Sequence, residues 1–217
     1  MKTNYSSATP SIPNSQEQKK KEEKFLNHPI LKKLSHTHIA VPLLIFYSSS
    51  VFFLYYGIAN TSIGATKLLS LFFASILFFT FVEYWIHRKI FHMLPTSKIK
   101  EKLQYAFHGL HHDQPRDKTR LAMPPIMSVT LMFIIFGVSY LLIGNYAFGF
   151  VSGFLTGYAS YLAVHYIVHA YPPPKNVFRT LWIHHGIHHY KDDKVAFGVS
   201  SPLWDWIFRT MPKKSYR

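Results

Sequence analysis

The sequence contains no cysteine. A disulfide framework, a thiolate zinc site and an iron–sulfur cluster are excluded, because each needs cysteine sulfur. Acidic residues are scarce: 10 Asp and Glu stand against 24 Lys and Arg, a formal net charge of +14. The H-E-x-x-H motif of metalloproteases is missing, and so are the Glu-x-x-His pairs of soluble di-iron bundles. Charge of either sign is absent over long stretches. There is none from Ile39 to Thr66 and none from Leu121 to Pro174, and only Glu83 interrupts the apolar run Leu68–Ile86. Residues 1–24 lack an apolar core, so they do not read as a signal peptide. Rich in Ser, Asn, Gln and Lys, they are expected to form a disordered, solvated basic tail ahead of a single domain over 25–217.

The uncharged stretches point to an all-α integral membrane protein. The longest is divided by the turn signal Gly144-Asn145. Four spans are then expected, at about residues 39–60, 68–87, 123–143 and 146–167. Each approaches the ~20 residues needed to cross about 30 Å of hydrocarbon. Pro124-Pro125 suits a helix start and Pro172-Pro173-Pro174 a helix stop. Seven basic residues lie in 1–38, eight between the second and third spans, and eight after the fourth, leaving Lys67 alone in an outer loop. The positive-inside rule places both termini and the central loop in the cytoplasm. The basic charge is thereby accounted for without nucleic acid. The expected location is a multi-pass protein of the bacterial inner membrane or the endoplasmic reticulum.

Against these absences stands a wealth of histidine. Ten of the 14 fall in four clusters: His87 and His92; His108, His111 and His112; His165 and His169; His185, His188 and His189. His28, His36 and His38 lack ligand spacing. Residues at i, i+3 and i+4 share a helix face, which describes both triplets. His165 and His169 are an i, i+4 pair. His87 and His92, five apart, would splay by about 140° on a regular helix, so the chain is expected to turn or fray before His92. Ser97 is a candidate N-cap for a helix running to His112, with an apolar stripe of Ile99, Leu103, Ala106, Phe107 and Leu110. An internal repeat is also visible. Sixteen residues separate His92 from His108 and His169 from His185, and H-G-L-H-H at 108–112 parallels H-G-I-H-H at 185–189. Two similar halves are expected to pack around one shared centre.

Ten neutral imidazoles exceed what one metal ion can use and suit two ions of a first-row metal. Zinc has no redox chemistry, so two iron ions are expected, with zinc able to replace them in an overexpressed sample and O2 as co-substrate. The predicted spans put all ten ligands at one membrane face, as a cytoplasmic cap. Glu83, four residues before His87, is expected to hold that ring's other nitrogen. His184 breaks the parallel between the triplets and is expected behind the ligands or in solvent. Aromatic residues such as Tyr84, Trp85, Phe107, Tyr158, Tyr161 and Trp204 are candidates for an acyl tunnel, or for membrane packing.

The histidine pattern as a whole resembles the fatty acid hydroxylase superfamily, which includes sterol desaturases. Phe107-His108-Gly109-Leu110-His111-His112 with Pro115, Asp117, Arg120-Leu121 and Pro124-Pro125 resembles its fatty acid 2-hydroxylases. So does Phe197-Gly198-Val199-Ser200-Ser201 with Leu203-Trp204-Asp205. The resemblance covers about residues 80–210. It implies a four-span helical fold, a di-metal centre on the ten histidines, and hydroxylation beside an acyl carboxyl or amide carbonyl, on free chains or in ceramide. Members often carry a b-type cytochrome domain, for which this chain shows no room. Electrons are expected from a separate b-type cytochrome, or from a ferredoxin with its reductase. Asp113-Gln114 departs from the pattern and leaves the substrate open. The rival readings are a sterol or carotenoid hydroxylase or desaturase and, more distantly, a metal transporter. A transporter would need ligands near the bilayer midplane.

Overall fold

The computed structural model describes residues 37–118, 121–122 and 124–216. The expected tail, His28, His36, Arg120 and Met123 lie outside the described residues, and so do the side chains of Leu103, Ala106, Phe107 and Leu110. Among the described residues all regular structure is helical, with no strand. The helices are α1 (Ala40–Asn60), α2 (Ala65–Ile86), α3 (Lys98–Gln104), α4 (Leu110–Asp113), α5 (Pro125–Ile143), α6 (Ala147–Ala170), α7 (Arg179–Tyr190) and α8 (Leu203–Ile207).

Three stretches are long and apolar enough to cross a membrane: Ala40–Asn60, Ala65–Phe91 and Pro125–Ala170. The third contains a reversal. Gly144 takes the left-handed conformation (φ 56°) that glycine adopts without strain. Phe136 and Phe148 are twelve residues apart, about 18 Å along a straight helix, yet their ring centroids lie 5.3 Å apart. The chain therefore folds back, and α5 packs along α6.

Helix ends follow local chemistry. Pro125 opens α5, where its missing N–H costs nothing. Tyr171 ends α6 in an extended conformation (φ −130°, ψ 155°), as the residue before Pro172 should. This helix runs three residues past the expected limit of 167, so both His165 and His169 lie within it. α2 begins three residues before the expected 68 and takes Lys67 into its first turn.

One helix organises the bundle. α6 is the central helix: α1, α2 and α5 all pack against it, and α1 touches α2 far less. Glycine explains the close approach of α2. Gly149, Gly153 and Gly157 recur every four residues on α6, the small-residue spacing that lets membrane helices meet backbone to backbone. A methyl group at 149 would lie 2.7 Å from the Leu68 carbonyl oxygen, and one at 153 would collide with the Phe72 carbonyl. α1 docks on the same helix through hydroxyls: Ser50 Oγ donates to the Ser152 carbonyl at 2.8 Å, and Tyr47 Oη meets Ser160 Oγ at 3.1 Å. The outward faces stay apolar, with Leu44, Val51, Phe73 and Leu141 all exposed. A surface of that kind fits helices long and apolar enough to cross a membrane.

The glycine interface is testable. Gly153→Ala is expected to cost about 1–3 kcal/mol through overpacking against backbone that cannot move aside, read as a lower unfolding midpoint in detergent. Gly137→Ala, whose new methyl would meet nothing within 4 Å, is expected to leave that midpoint unchanged.

Candidate metal centre

The four histidine clusters reach one place from four directions. α2 delivers His87 at its end, and α6 delivers His165 and His169 from its last turns. α7 carries His185, His188 and His189. The remaining candidate ligands depend on two π-helical turns, His87–Phe91 and Tyr105–Gly109. A π turn bonds i to i+5, as His92 N does to the His87 carbonyl at 3.2 Å. That wider turn brings His87 and His92 to the same side, and His92 itself lies just past the helix, where the chain turns as expected (φ −106°, ψ 28°). The predicted single helix to His112 is instead α3, a π turn and α4 in succession. Its N-cap is as expected: Ser97 Oγ accepts from Lys100 N at 3.3 Å. His38 lies apart from the centre, accepting from Ala40 N at the start of α1.

The ten imidazoles form two groups of five. One consists of His87, His92, His108, His112 and His188, the other of His111, His165, His169, His185 and His189. Within each group the candidate donor atoms lie within 4.8 Å of one another. Each half of the repeat supplies four histidines to its own group and lends the middle member of its triplet, His111 or His188, to the other. The groups are adjacent, with the His112 and His189 rings stacked at 4.2 Å.

The second group shows why hydrogen bonding alone cannot satisfy these rings. Its Nε2 atoms form a closed circuit: His111–His165 2.9 Å, His165–His169 3.2 Å, His169–His185 2.8 Å, His185–His189 3.1 Å and His189–His111 3.1 Å. A neutral ring nitrogen is either donor or acceptor. Around five members the two roles cannot alternate, so at least one contact sets donor against donor or lone pair against lone pair. A cation removes the conflict, because all five nitrogens then present lone pairs to it. The spacing agrees: metal–nitrogen bonds of about 2.1 Å at right angles put neighbouring nitrogens about 3.0 Å apart. In the first group His87–His108, His108–His112 and His92–His188 lie at 3.0, 2.9 and 2.9 Å. Both groups are able to bind metal.

Electrostatics keep the donors neutral. Burial holds His112 at about 4 and His188 at about 3, and burial with neighbouring imidazoles holds His108, His111 and His185 well below the usual histidine range. At neutral pH these rings carry no charge and can offer lone pairs.

Behind the first group lies a layer of backbone. His87 Nδ1 donates to the Phe197 carbonyl at 2.5 Å and His188 Nδ1 to the Val195 carbonyl at 2.8 Å, which leaves both Nε2 atoms free as donors to metal. Two buried carboxylates pin the segment that carries these carbonyls. Asp205 accepts from Phe197 N (2.9 Å), Gly198 N (2.8 Å) and Thr210 Oγ1 (2.7 Å). Glu83 accepts from Val199 N (2.7 Å), Ser200 N (2.9 Å) and the Ser200 hydroxyl. The expected Glu83–His87 bond is therefore replaced: the carboxylate acts one step further back, through the 197–200 segment. His184 is buried and its Nε2 lies 2.9 Å from Asp205 Oδ2, one turn of α7 before His188, so it sits behind the candidate ligands rather than in solvent. Asp205 and the two carbonyls had no individual signal in the sequence beyond the motif that contains Asp205, since a carbonyl carries no side-chain signature.

A cavity of about 580 Å³ opens beside the second group, where His169, His185 and His189 form part of its wall. Its aromatic lining is Tyr171, Trp182 and Tyr190. Tyr84, Trp85, Tyr158, Tyr161 and Trp204, the tunnel candidates with described side chains, do not line it. Tyr84 is instead buried against Thr210, Trp204 Nε1 donates to Thr80 Oγ1 at 2.9 Å, and Tyr161 stacks on His165.

A helical fold with membrane-length apolar stretches and two five-histidine groups able to bind metal defines a protein of the histidine-cluster membrane class. The Fatty acid hydroxylase family profile matches residues 72–210, and the chain belongs to that family. It is 36% identical to the Fatty acid 2-hydroxylase of Mus musculus over 66% of this chain and 40% of that one. It is also 36% identical to the Ceramide very long chain fatty acid hydroxylase scs7 of Schizosaccharomyces pombe, over 70% of this chain and 45% of the relative. The chain thus aligns with less than half the length of these relatives. Among solved structures it is similar to full-length scs7p, of which only the hydroxylase domain is visible. The TM-score is 0.77 at 31% identity, covering 84% of this chain and 70% of that one.

Proposed function

We propose that the protein is an O2-dependent lipid hydroxylase that places a hydroxyl group on the carbon next to the carbonyl of a fatty acyl chain. The observation that carries this reading is the sorting of ten neutral imidazoles into two adjacent groups of five in a member of this family. Each group would hold one ion, and iron fits better than zinc because the reaction is a redox reaction. When bound, the two ions supply O2 binding and C–H oxidation. In sum, a C–H bond, O2, two electrons and two protons give C–OH and water. The electrons come from a separate one-electron protein, a b-type cytochrome or a ferredoxin with its reductase.

The chain's own residues do the remaining tasks. The five nitrogens of each group would hold its ion. The carbonyls of Val195 and Phe197 fix the tautomers of His188 and His87. Burial of the histidines excludes bulk water, which would otherwise compete with substrate. The cavity beside His169, His185 and His189 admits the acyl end of a lipid.

The reading includes a topology. α1, α2, α5 and α6 each cross the membrane, residues 25–217 form one domain behind the basic tail, and both termini and the metal centre face the cytoplasm as a cap. The distribution of Lys and Arg supports this orientation. Reporter fusions at Gly64 and Asn145 are expected to sit outside and one at Lys175 inside; an outside signal at Lys175 would overturn it.

Activity is tested by lipid analysis of cells expressing the protein with a suitable reductase, under isotopically labelled O2. The expected product carries one labelled oxygen beside the acyl carbonyl. A new double bond, or oxygen on a sterol or carotenoid, would sink the proposed substrate and outcome.

A further inference from the structure

We propose that the cavity beside the second histidine group is a binding site for the anionic oxygen group of an acyl lipid, held by Arg116 and Arg179. The proposal rests on the lipid-hydroxylase reading and narrows its substrate class. Among the described residues that line the cavity, these two arginines are the only ones with a permanent charge, and no carboxylate stands with them. They come from different elements. Arg116 lies in the turn after α4, and Arg179 is the first residue of α7, the helix that also carries His185 and His189. One wall thus joins two guanidinium groups to three candidate metal ligands.

Physical chemistry specifies the ligand. A guanidinium presents a planar fork of donors that matches carboxylate and phosphate oxygens. Arg179 sits at the helix N-terminus, where the helix dipole disfavours a cation, and no acidic residue occupies that first turn to offset it. Both arginines are exposed, so solvent screens their mutual repulsion, and an anion that reaches both guanidinium groups gains charge-assisted hydrogen bonds. The rest of the lining suits the adjoining carbons of a lipid: Tyr171, Trp182, Ile183 and Tyr190 are apolar over most of their surface. A volume of about 580 Å³ is of the size that takes a head group and the first part of a chain. An anionic group anchored there lies beside the histidines, so the first carbons of its acyl chain are brought to the reactive centre.

Two sources share this chemistry. One is the carboxylate of a free fatty acid; the other is the phosphate of a phosphorylated acyl sphingolipid. Equilibrium binding to the metal-loaded, detergent-solubilised full chain separates them, using three radiolabelled probes with the same acyl chain: the free fatty acid, ceramide 1-phosphate and neutral ceramide. At least one anionic probe is expected to bind about tenfold or more tightly than neutral ceramide, the scale of losing or gaining one charge-assisted hydrogen bond. The double variant Arg116→Gln, Arg179→Gln is expected to lose that preference while binding neutral ceramide as before and keeping its metal content. The double Lys variant is expected to recover part of it. Loss of fatty acid binding alone identifies the carboxylate source, and loss of ceramide phosphate binding alone the phosphate source. Equal binding of all three probes, or a preference that survives the double Gln variant, overturns the site. Hydroxylation is scored separately on each probe. An intact anion preference with no hydroxylated product would sink the reaction and leave the site standing.

Discussion

His188→Ala and His111→Ala are each expected to abolish product, and to do so by emptying opposite halves of the centre. His188 belongs with His87, His92, His108 and His112, although it stands on α7 among ligands of the other group. His111 is its counterpart from the first triplet. Loss of one nitrogen from five leaves a metal group short of a ligand. Activity should fall by more than about 100-fold, beyond the 10–100-fold typical when only a residue supporting a ligand is lost. Metal content should drop from about two ions per chain toward one in each variant while the protein still inserts. Removing the outer members of one triplet, His185 and His189, should strip the second group and spare the first. Full activity in both single variants would overturn the ligand assignment. A clean preparation with one ion or none after metal supplementation would overturn the two-ion reading.

Glu83→Ala is expected to loosen the first metal group without touching a ligand. The carboxylate holds Val199 N, Ser200 N and the Ser200 hydroxyl, and the segment they belong to presents the Phe197 carbonyl to His87. Each buried donor left without an acceptor costs about 1–3 kcal/mol. Metal retention against a chelator should fall about 10–100-fold, the range for partners that orient a histidine ligand. Glu83→Gln should do less damage, because the amide oxygen still accepts from both backbone N–H groups, though more weakly than a carboxylate. Asp205→Asn should resemble it, since Asp205 holds the other end of the same segment. Unchanged metal retention in Glu83→Ala would show that the segment holds His87 without its carboxylate.

Family membership and the helical class were legible because their signals are local. Uncharged runs, helix-breaking prolines and i, i+3, i+4 histidine spacing depend on neighbours along one chain. The same holds for the Ser97 cap and for the separation of His38 from the clusters. The reversal at Gly144-Asn145 was readable too, since a turn is a matter of a few residues.

What escaped is what depends on contact between distant segments. The π turn at His87–Phe91 keeps His92 beside His87, where His87 meets His108 and His92 meets His188, residues distant along the chain. The repeat showed two similar halves, but not that the glycines of α6 admit α2 so closely that one central helix organises the bundle. Glu83 was visible as an isolated acid; its partners are more than a hundred residues away along the chain. The sequence by itself determined which side chains are candidate ligands in kind and number, because that is a question of composition and helical period. Only the tertiary structure decided how the ten divide, with His111 and His188 exchanged between the halves. The division is set by where each Nε2 points once four helices and two π turns have packed, and no spacing along the chain encodes a direction in space.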